Sequence, residues 1–312
     1  MTSRSPFDDF DPRVYRWVAR AAHAVGKLYF RFELRGLDRL PDGPCLVVGN
    51  HSGLGIVEEV LLLGAWEARF GSSRRAWGLV HDFFWEAPVS SSYYRRIGAV
   101  PASREHALAA FGRGDVVLVF PGGDFESCRP VHHPRTVDFG GRHGYVEVAL
   151  EAGVPVVPLA TVGSHWTWTF LPGGLALAKL PGLRRLLRMD RVPLPTAALG
   201  LTLVFAAILL FGFSSWWLIP AAVLAVLPTP VKITSVLLAP MQLRADTDDP
   251  VGEGDRLVRA ALQHAVHTIG TAGTSPPATA GKSSSSVTAT GTTSDAASAP
   301  SSPQKIEPPL LE

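Results

Sequence analysis

The sequence is poor in cysteine and in net charge. Cys45 and Cys128 are its only cysteines, which excludes a disulfide framework and a cysteine-based metal cluster and favours a reducing compartment. The formal net charge of +2 is too small to indicate a nucleic-acid partner. The opening MTSRSPFDDFDP has no apolar core, so no signal peptide is expected there. No metal site is predicted.

Charge is absent altogether from Val192 to Val231. The almost wholly apolar part of this stretch, 197–227, exceeds the roughly 20 residues that one helical crossing of a bilayer needs but not the about 40 that two crossings need. Hydrophobic residues make up 46% of the chain, which is high for a soluble protein. We therefore expect 197–227 to contact a membrane, with a buried core helix as the alternative.

The chain beyond this segment limits how the segment can meet a membrane. Residues 231–240, VKITSVLLAP, predict a strand, and a strand that joins the sheet requires the chain to return to the side it left. A re-entrant hairpin broken near Pro220 meets that requirement. Trp216 and Trp217 are typical of the membrane–water interface, which keeps a single span open.

Positive charge is concentrated near the N-terminus. Residues 12–33 predict a helix with Asp11 as its N-cap and Pro12 in its first turn. Basic and apolar residues interleave along it, as in helices that bind anionic lipid surfaces, although an ordinary docking helix is an equal alternative. We assign residues 1–36 to this basic amphipathic region. Its basic residues are Arg13, Arg16, Arg20, Lys27, Arg31 and Arg35.

Apolar runs alternate with helical patterns between residues 37 and 270. This alternation predicts one α/β domain with a mostly parallel sheet flanked by helices. Pro155 and Pro158 predict that their strand lies at a sheet edge or pairs only at its ends. Residues 271–312, rich in Ser, Thr, Ala and Pro, predict a disordered tail. The predicted strands are 45–50, 76–81, 115–121 and 154–162, and the predicted helices 58–70 and 144–153.

The pair Asn50-His51 directly follows the first predicted strand. Ligands bind at the carboxyl ends of parallel strands, although surface turn histidines also occur there. Glu58 and Glu59 open the next predicted helix, and a carboxylate bonded to one imidazole nitrogen makes the other nitrogen a better base. The stretch therefore indicates a general base held by an acid.

A second block, RRIGAVPASRE, combines a glycine turn with a basic residue. Gly98 supplies the turn, and Ser103 is a candidate N-cap for a helix that begins at Arg104. A guanidinium at a helix N-terminus favours an anion such as phosphate. The alternative is that Arg104 pairs with Glu105 or with a helix end.

A third block, VLVFPGGDFESCRP, ends a buried strand in paired glycines. Pro121, Gly122 and Gly123 would let a ligand approach the backbone closely. Glu126 and Arg129 follow within one or two helical turns. A plain turn is the alternative for this block.

The order and spacing of the blocks, NHSG, GAVPASR, FPGG and VPVVP, resemble those of the glycerolipid acyltransferase superfamily. That superfamily includes glycerol-3-phosphate and lysophosphatidate acyltransferases. Residues 40–165 carry the resemblance, and the third and fourth blocks look closest to its diacylglycerol acyltransferase-like branch.

The resemblance implies a membrane-associated O-acyltransferase whose active site faces the cytoplasm. It implies that His51 deprotonates a lipid alcohol, which attacks the thioester of acyl-CoA or an acyl carrier protein without an acyl-enzyme or any cofactor. Glu58 or Glu59 would orient the histidine. The substrate-binding residues it implies are Asn50, Ser52, Gly53, Gly98, Ser103, Arg104, Pro121, Gly122, Gly123 and Glu126.

The chain departs from the family pattern at three positions. Ile56 stands where an aspartate is usual, so Glu58, slightly favoured, or Glu59 must replace it. Gly122 stands where a glutamate is usual, and Phe125 where an arginine is usual. These changes leave room for a large or neutral acceptor. They also keep two alternatives open, namely a non-catalytic lipid-binding protein and a lipid hydrolase that uses His51 with water.

Overall fold

A seven-stranded sheet forms the centre of the protein. The computed structural model describes residues 5–52, 56–81, 85, 88–180, 182, 189–211, 220, 223 and 227–272. The strands are β1 (Glu33–Arg35), β2 (Leu46–Gly49), β3 (Ala76–Val80), β4 (Ala99–Pro101), β5 (Val116–Val119), β6 (Val156–Val162) and β7 (Thr234–Leu237). Their order is β1-β7-β6-β2-β5-β3-β4, and all neighbours run parallel except β6 and β7. The predicted α/β class with a mostly parallel sheet is therefore confirmed.

Helices cover both faces of the sheet. Successive side chains of the central strand β2 point to opposite faces, so its apolar residues contribute to a core on each side. Leu46 and Val48 of β2 face one core, whereas Cys45 and Val47 face the other. The helices are α1 (Pro12–Leu28), α2 (Ile56–Phe70), α3 (Pro88–Arg96), α4 (Arg104–Gly112), α5 (Gly123–Ser127), α6 (Gly144–Ala152), α7 (Gly174–Ala178), α8 (Thr196–Phe211) and α9 (Pro250–Ala272). Helices α4, α6 and α9 contribute to the first core, and α2 contributes to the second.

Of the two positions predicted for the proline-containing strand, the sheet edge is wrong, whereas both prolines do lie where pairing ends. β6 lies inside the sheet between β2 and β7, although Pro158 is one of its residues. The carbonyl of Pro158 accepts a hydrogen bond from the Leu238 N–H (2.8 Å), while regular pairing with β7 begins only at Leu159. The missing N–H of Pro158 therefore falls at a break in the ladder, where it costs no strand hydrogen bond.

The first predicted helix ends earlier than expected. α1 begins after the predicted N-cap, since the Asp11 carboxylate accepts the Arg13 N–H (2.9 Å). It ends at Leu28, and Arg31 then takes a left-handed conformation with φ of 48°. The chain continues into β1, which pairs with β7, so the end of the 1–36 region belongs to the sheet.

Helices α1 and α2 pack unusually closely, because glycine lies at their contact. A Cβ on Gly64 would come within 2.6 Å of the His23 backbone nitrogen and 2.9 Å of the Ala19 carbonyl oxygen. Ala19, Ala22 and Gly26 form the matching small-residue face of α1. This contact fixes α2, whose first turn carries both candidate acids.

Helix α8 lies within the uncharged stretch. The side chains of Phe205, Leu209 and Leu210 on this helix are exposed. Across the described parts of the chain, no helix combines the length and the apolar character that a membrane crossing requires. Most of 212–226, which includes the predicted hairpin tip, lies outside the described residues, as does the predicted tail from 273 onward.

Candidate active site

The candidate site lies just beyond the carboxyl end of β2, the strand whose neighbours in the sheet are β5 and β6. Residues 50–52, which follow β2, are called the histidine turn. Asn50 joins this turn to β6: its amide nitrogen donates to the Thr161 carbonyl (3.0 Å), and its amide oxygen accepts the Thr161 N–H (2.7 Å). With 1% of its surface exposed, Asn50 supports the turn from behind rather than facing a ligand.

A buried acid holds the His51 ring. The Glu58 carboxylate lies 2.8 Å from His51 Nδ1 and also accepts the Ser52 N–H at 2.8 Å. A carboxylate can only accept a hydrogen bond, so Nδ1 carries the proton and Nε2 has a free lone pair. Glu58, placed seven residues after the histidine by the first turn of α2, therefore occupies the position that Ile56 cannot fill.

Surrounding carboxylates tune the basicity of the ring. Burial alone would lower the pKa of His51. The hydrogen bond and charge of Glu58, together with the charges of Glu59 and Glu126, outweigh burial and raise that pKa above its usual value. A raised pKa makes Nε2 a stronger proton acceptor, as general-base catalysis requires.

The second candidate acid lies on the other side of the ring. A Glu59 oxygen is 3.8 Å from His51 Nε2, and 35% of the Glu59 side chain is accessible. Burial raises the pKa of Glu59 to about 7, opposed by the nearby His51 and assisted by Glu58. Glu59 therefore faces the space in which a reacting group would meet Nε2.

An aromatic ring supports the histidine from the side. Phe120 stacks on His51 with ring centroids 4.7 Å apart and an interplanar angle of 26°. A Cβ on Gly49 would overlap the Phe120 ring, so the glycine that ends β2 is needed for this stack. Neither residue was predicted from the sequence as part of the site, although a glycine at the end of a buried strand was a visible signal.

Glu126 lies beneath the histidine turn and is 1% exposed. Its carboxylate accepts the His51 N–H at 2.8 Å. Burial raises the pKa of Glu126 to about 7, opposed by the charge of Arg129 and by the His51 N–H. Glu126 borders neither of the cavities described next, so the structure places it in support of the turn.

Two cavities that share lining residues lie at the site, and the larger one is bordered by the histidine. The larger, of about 510 Å³, is bordered by His51 and by predicted site residues of the second and third blocks, Ser103, Arg104, Pro121 and Gly123. The smaller, of about 140 Å³, is bordered mainly by apolar side chains and by Gly98. Residues that border both cavities are Ile56, Glu59, Leu79, Val80, Tyr94 and Phe120.

The basic residues of the larger cavity are engaged with acids. Arg104 makes a two-pronged contact with Glu151, with both N–O distances 2.5 Å. Arg142 pairs with Asp124 at 2.9 Å and with Asp190 at 2.6 Å. The Ser103 hydroxyl accepts the His106 N–H, which confirms the predicted N-cap.

The predicted site residues thus fall into two groups. Around the cavities lie His51, Glu59, Gly98, Ser103, Arg104, Pro121 and Gly123. Behind the histidine lie Asn50, Ser52, Glu58 and Glu126, all buried. Gly122 borders neither cavity, and Gly53 lies outside the described residues. Within the described parts of the chain, no group of three or more His, Cys, Asp or Glu residues is arranged to hold a metal ion.

Comparison with known proteins gives a consistent set of relatives. An uncharacterised protein of Mycobacterium tuberculosis is 30% identical over 56% of this chain and 49% of its own. The 1-acyl-sn-glycerol-3-phosphate acyltransferase of Pseudomonas aeruginosa is 25% identical over 54% of this chain and 63% of its own. A Gallus gallus protein named DGAT1/2-independent enzyme synthesizing storage lipids is 26% identical over 44% of this chain and 40% of its own.

The chain spans about half the length of the first of these curated relatives. Among solved structures, the 1-acyl-sn-glycerophosphate (LPA) acyltransferase PlsC from Thermotoga maritima matches with a TM-score of 0.47 and 16% identity, over 82% of this chain and 81% of that one. The sequence model of the Acyltransferase family matches residues 31–162, which include β2, the histidine turn and β6. The resemblance to glycerolipid acyltransferases that the four blocks predicted is therefore confirmed.

Proposed function

We propose that this protein is a membrane-associated O-acyltransferase that moves a fatty acyl group from acyl-CoA to a hydroxyl of a lipid alcohol. The observation that carries the proposal is the buried His51–Glu58 pair, in which the histidine borders the larger of two adjoining cavities. The family match over residues 31–162 supports acyl-transfer chemistry at this site.

The proposed reaction is a direct transfer with His51 as general base. Nε2 takes the proton of the acceptor hydroxyl as the oxygen attacks the thioester carbonyl carbon. The carbon–sulfur bond then breaks, and the thiolate takes the proton from Nε2, which leaves an ester and free CoA. Glu58 stabilises the positive ring through its contact with Nδ1.

The cavities suggest how the two substrates divide the site. The smaller cavity suits an acyl chain, because its walls are mainly apolar. The larger cavity suits the acceptor. Among its described lining residues, Arg104 and Arg142 are already paired with carboxylates, and the lining also contains Glu147 and Glu59, the latter ionised in part at neutral pH. This charge pattern favours a neutral alcohol over a phosphate monoester.

Product analysis with the full-length protein tests the proposal. Labelled palmitoyl-CoA is supplied in lipid vesicles with one acceptor at a time: monoacylglycerol, diacylglycerol, a fatty alcohol or lysophosphatidate. We expect a labelled ester, formed fastest with a neutral acceptor. Label recovered only as free fatty acid would replace the proposal with a hydrolase. Lipid binding without either product would indicate a non-catalytic lipid-binding protein.

Filling the smaller cavity tests its assignment to the acyl chain. A Cβ on Gly78, which borders this cavity from β3, meets no atom within 4 Å. We expect Gly78→Leu to lower kcat/KM for palmitoyl-CoA at least about tenfold relative to octanoyl-CoA, since displacing two methylene groups costs about 1.6 kcal/mol. Gly112→Leu, on the exposed end of α4, is the control. An unchanged ratio between the two donors would contradict the assignment.

Membrane attachment is assigned to the outer face of α1. Trp17 is 73% exposed and Leu28 85% exposed, and the small residues of the opposite face contact α2. The Tyr29 hydroxyl donates to the Pro228 carbonyl (2.7 Å), which joins the end of α1 to the end of the uncharged segment. Aromatic and basic residues on one exposed helix favour an anionic lipid surface.

Vesicle sedimentation tests this surface. We expect the double variant Trp17→Ser/Leu28→Ser to lower the partition coefficient onto phosphatidylglycerol vesicles at least about tenfold, because each lost apolar side chain removes roughly 1.5–3 kcal/mol of burial. Leu257→Ser changes another exposed leucine, 60% accessible, on α9. Equal partitioning of the double variant and this control would contradict the assignment to α1.

A further inference from the structure

Two buried charged residues hold the main chain of His51 from both sides. A Glu126 oxygen accepts the His51 N–H at 2.8 Å, and Arg129 Nη1 donates to the His51 carbonyl at 2.7 Å. Arg129 Nη1 also lies 3.5 Å from the other Glu126 oxygen. Both residues are at least 95% buried. The His51 peptide groups, which lie just beyond a strand, are thereby satisfied by charged partners.

These two hydrogen bonds to the main chain determine the direction in which the His51 side chain leaves the backbone. Charged groups form shorter and stronger hydrogen bonds than neutral ones, and the two bonds fix the orientation of the His51 backbone. That orientation sets the Cα–Cβ bond, and so the point at which the ring begins. Glu58 and Phe120 then determine the angle of the ring about that bond. Neither Glu126 nor Arg129 borders a cavity of the site, so both act through the histidine.

The glycine at position 122 belongs to the same arrangement. A Cβ on Gly122 would overlap both the Cβ and a carboxylate oxygen of Glu126. The Glu126 carboxylate, delivered from α5, therefore fills the space that a side chain at position 122 would occupy. The lack of a side chain at position 122 and the acid at position 126 therefore depend on each other, because the two positions compete for the same space.

We propose that Glu126 and Arg129 are positioning residues that fix the main chain of His51, and that Gly122 keeps free the space for the Glu126 carboxylate. This proposal rests on the proposed function only for its effect on turnover. The positions of the His51 amide and ring can be measured without any substrate, so the two proposals can fail separately.

Exchanging the two residues gives the sharpest test. Glu126→Gly is expected to lower kcat about a hundredfold, as a misplacement of about 1 Å does, with little change in KM. Gly122→Glu/Glu126→Gly returns a carboxylate to the same space from the other position and is expected to recover at least tenfold in kcat. Gly122→Glu/Glu126→Ala keeps a Cβ at position 126 that overlaps the one at 122, so it is expected to recover nothing.

NMR spectra of the full-length protein with ¹⁵N-labelled histidine distinguish a positioning role of Glu126 from a merely structural one. We expect Glu126→Gly to move the His51 amide and ring signals, and the Gly/Glu exchange to move them back, while the thermal midpoints identify folded variants. Unchanged His51 signals in folded Glu126→Gly, or equal kcat for the two double variants, would overturn the proposal. Wild-type protein without transferase activity would overturn the proposed function, and the spectra would still test the positioning.

Discussion

His51→Ala is expected to lower kcat for acyl transfer about a hundredfold to ten-thousandfold, the range that a positioned general base contributes. The alanine removes Nε2, the proposed proton acceptor at the larger cavity. Neither Glu58, which is fully buried, nor Glu59, whose pKa is about 7, occupies the same point. The measurement is the initial rate of ester formation at saturating acyl-CoA and acceptor, so that changes in substrate affinity do not contribute.

Loss of folding has to be separated from loss of the base. His51→Ala also removes the stack on Phe120 and leaves the buried Glu58 without its imidazole partner, so the thermal midpoint of each variant is measured beside its rate. His133→Ala removes an exposed loop histidine and is expected to leave kcat within a factor of two. A folded His51→Ala protein that retained a tenth of the wild-type kcat would exclude His51 as the base.

The sequence predicted the sheet well where hydrophobic patterning is local. The apolar runs at β2 and β6 are readable because these strands are buried on both faces, and those at β3 and β5 because they are at least partly buried. The interior position of β6 was not predictable from the run itself, since it depends on the pairing with β7 ending at Leu159, one residue after Pro158. β1 was missed because three residues carry too little periodicity, and only pairing with distant β7 makes them a strand.

The candidate site was predictable where spacing alone brings groups together. His51 and Glu58 are only seven residues apart, and Glu58 lies in the first turn of α2, so their contact could be inferred from the sequence separation. The contacts of His51 with Glu126 and Arg129 join parts of the chain 75 and 78 residues apart. These contacts depend on the pairing of β5 with β2, which no local sequence pattern predicts. The sequence therefore assigned Glu126 to substrate binding, whereas its observed contact is with the main chain of His51.

Glu58→Gln is expected to lower kcat and also the midpoint pH at which activity rises. Glutamine keeps an oxygen that can accept from His51 Nδ1 and from the Ser52 N–H, but it removes the negative charge. The hydrogen bond and charge of Glu58 are the largest effects that raise the pKa of His51 against the opposing effect of burial. Without that charge the pKa falls, Nε2 is a weaker base, and we expect kcat at neutral pH to fall about a hundredfold.

The sign of the pH effect makes this prediction specific. A base must be neutral to act, so activity rises as pH increases through the His51 pKa. In the wild type that midpoint lies above about 6.5, the usual histidine value, and in Glu58→Gln it moves to lower pH. Glu59→Gln is the matched control, because Glu59 lies 3.8 Å from Nε2 and exerts a smaller charge effect on His51 without a hydrogen bond to Nδ1. A larger downward shift in Glu59→Gln than in Glu58→Gln would make Glu59 the partner of the base, contrary to the geometry.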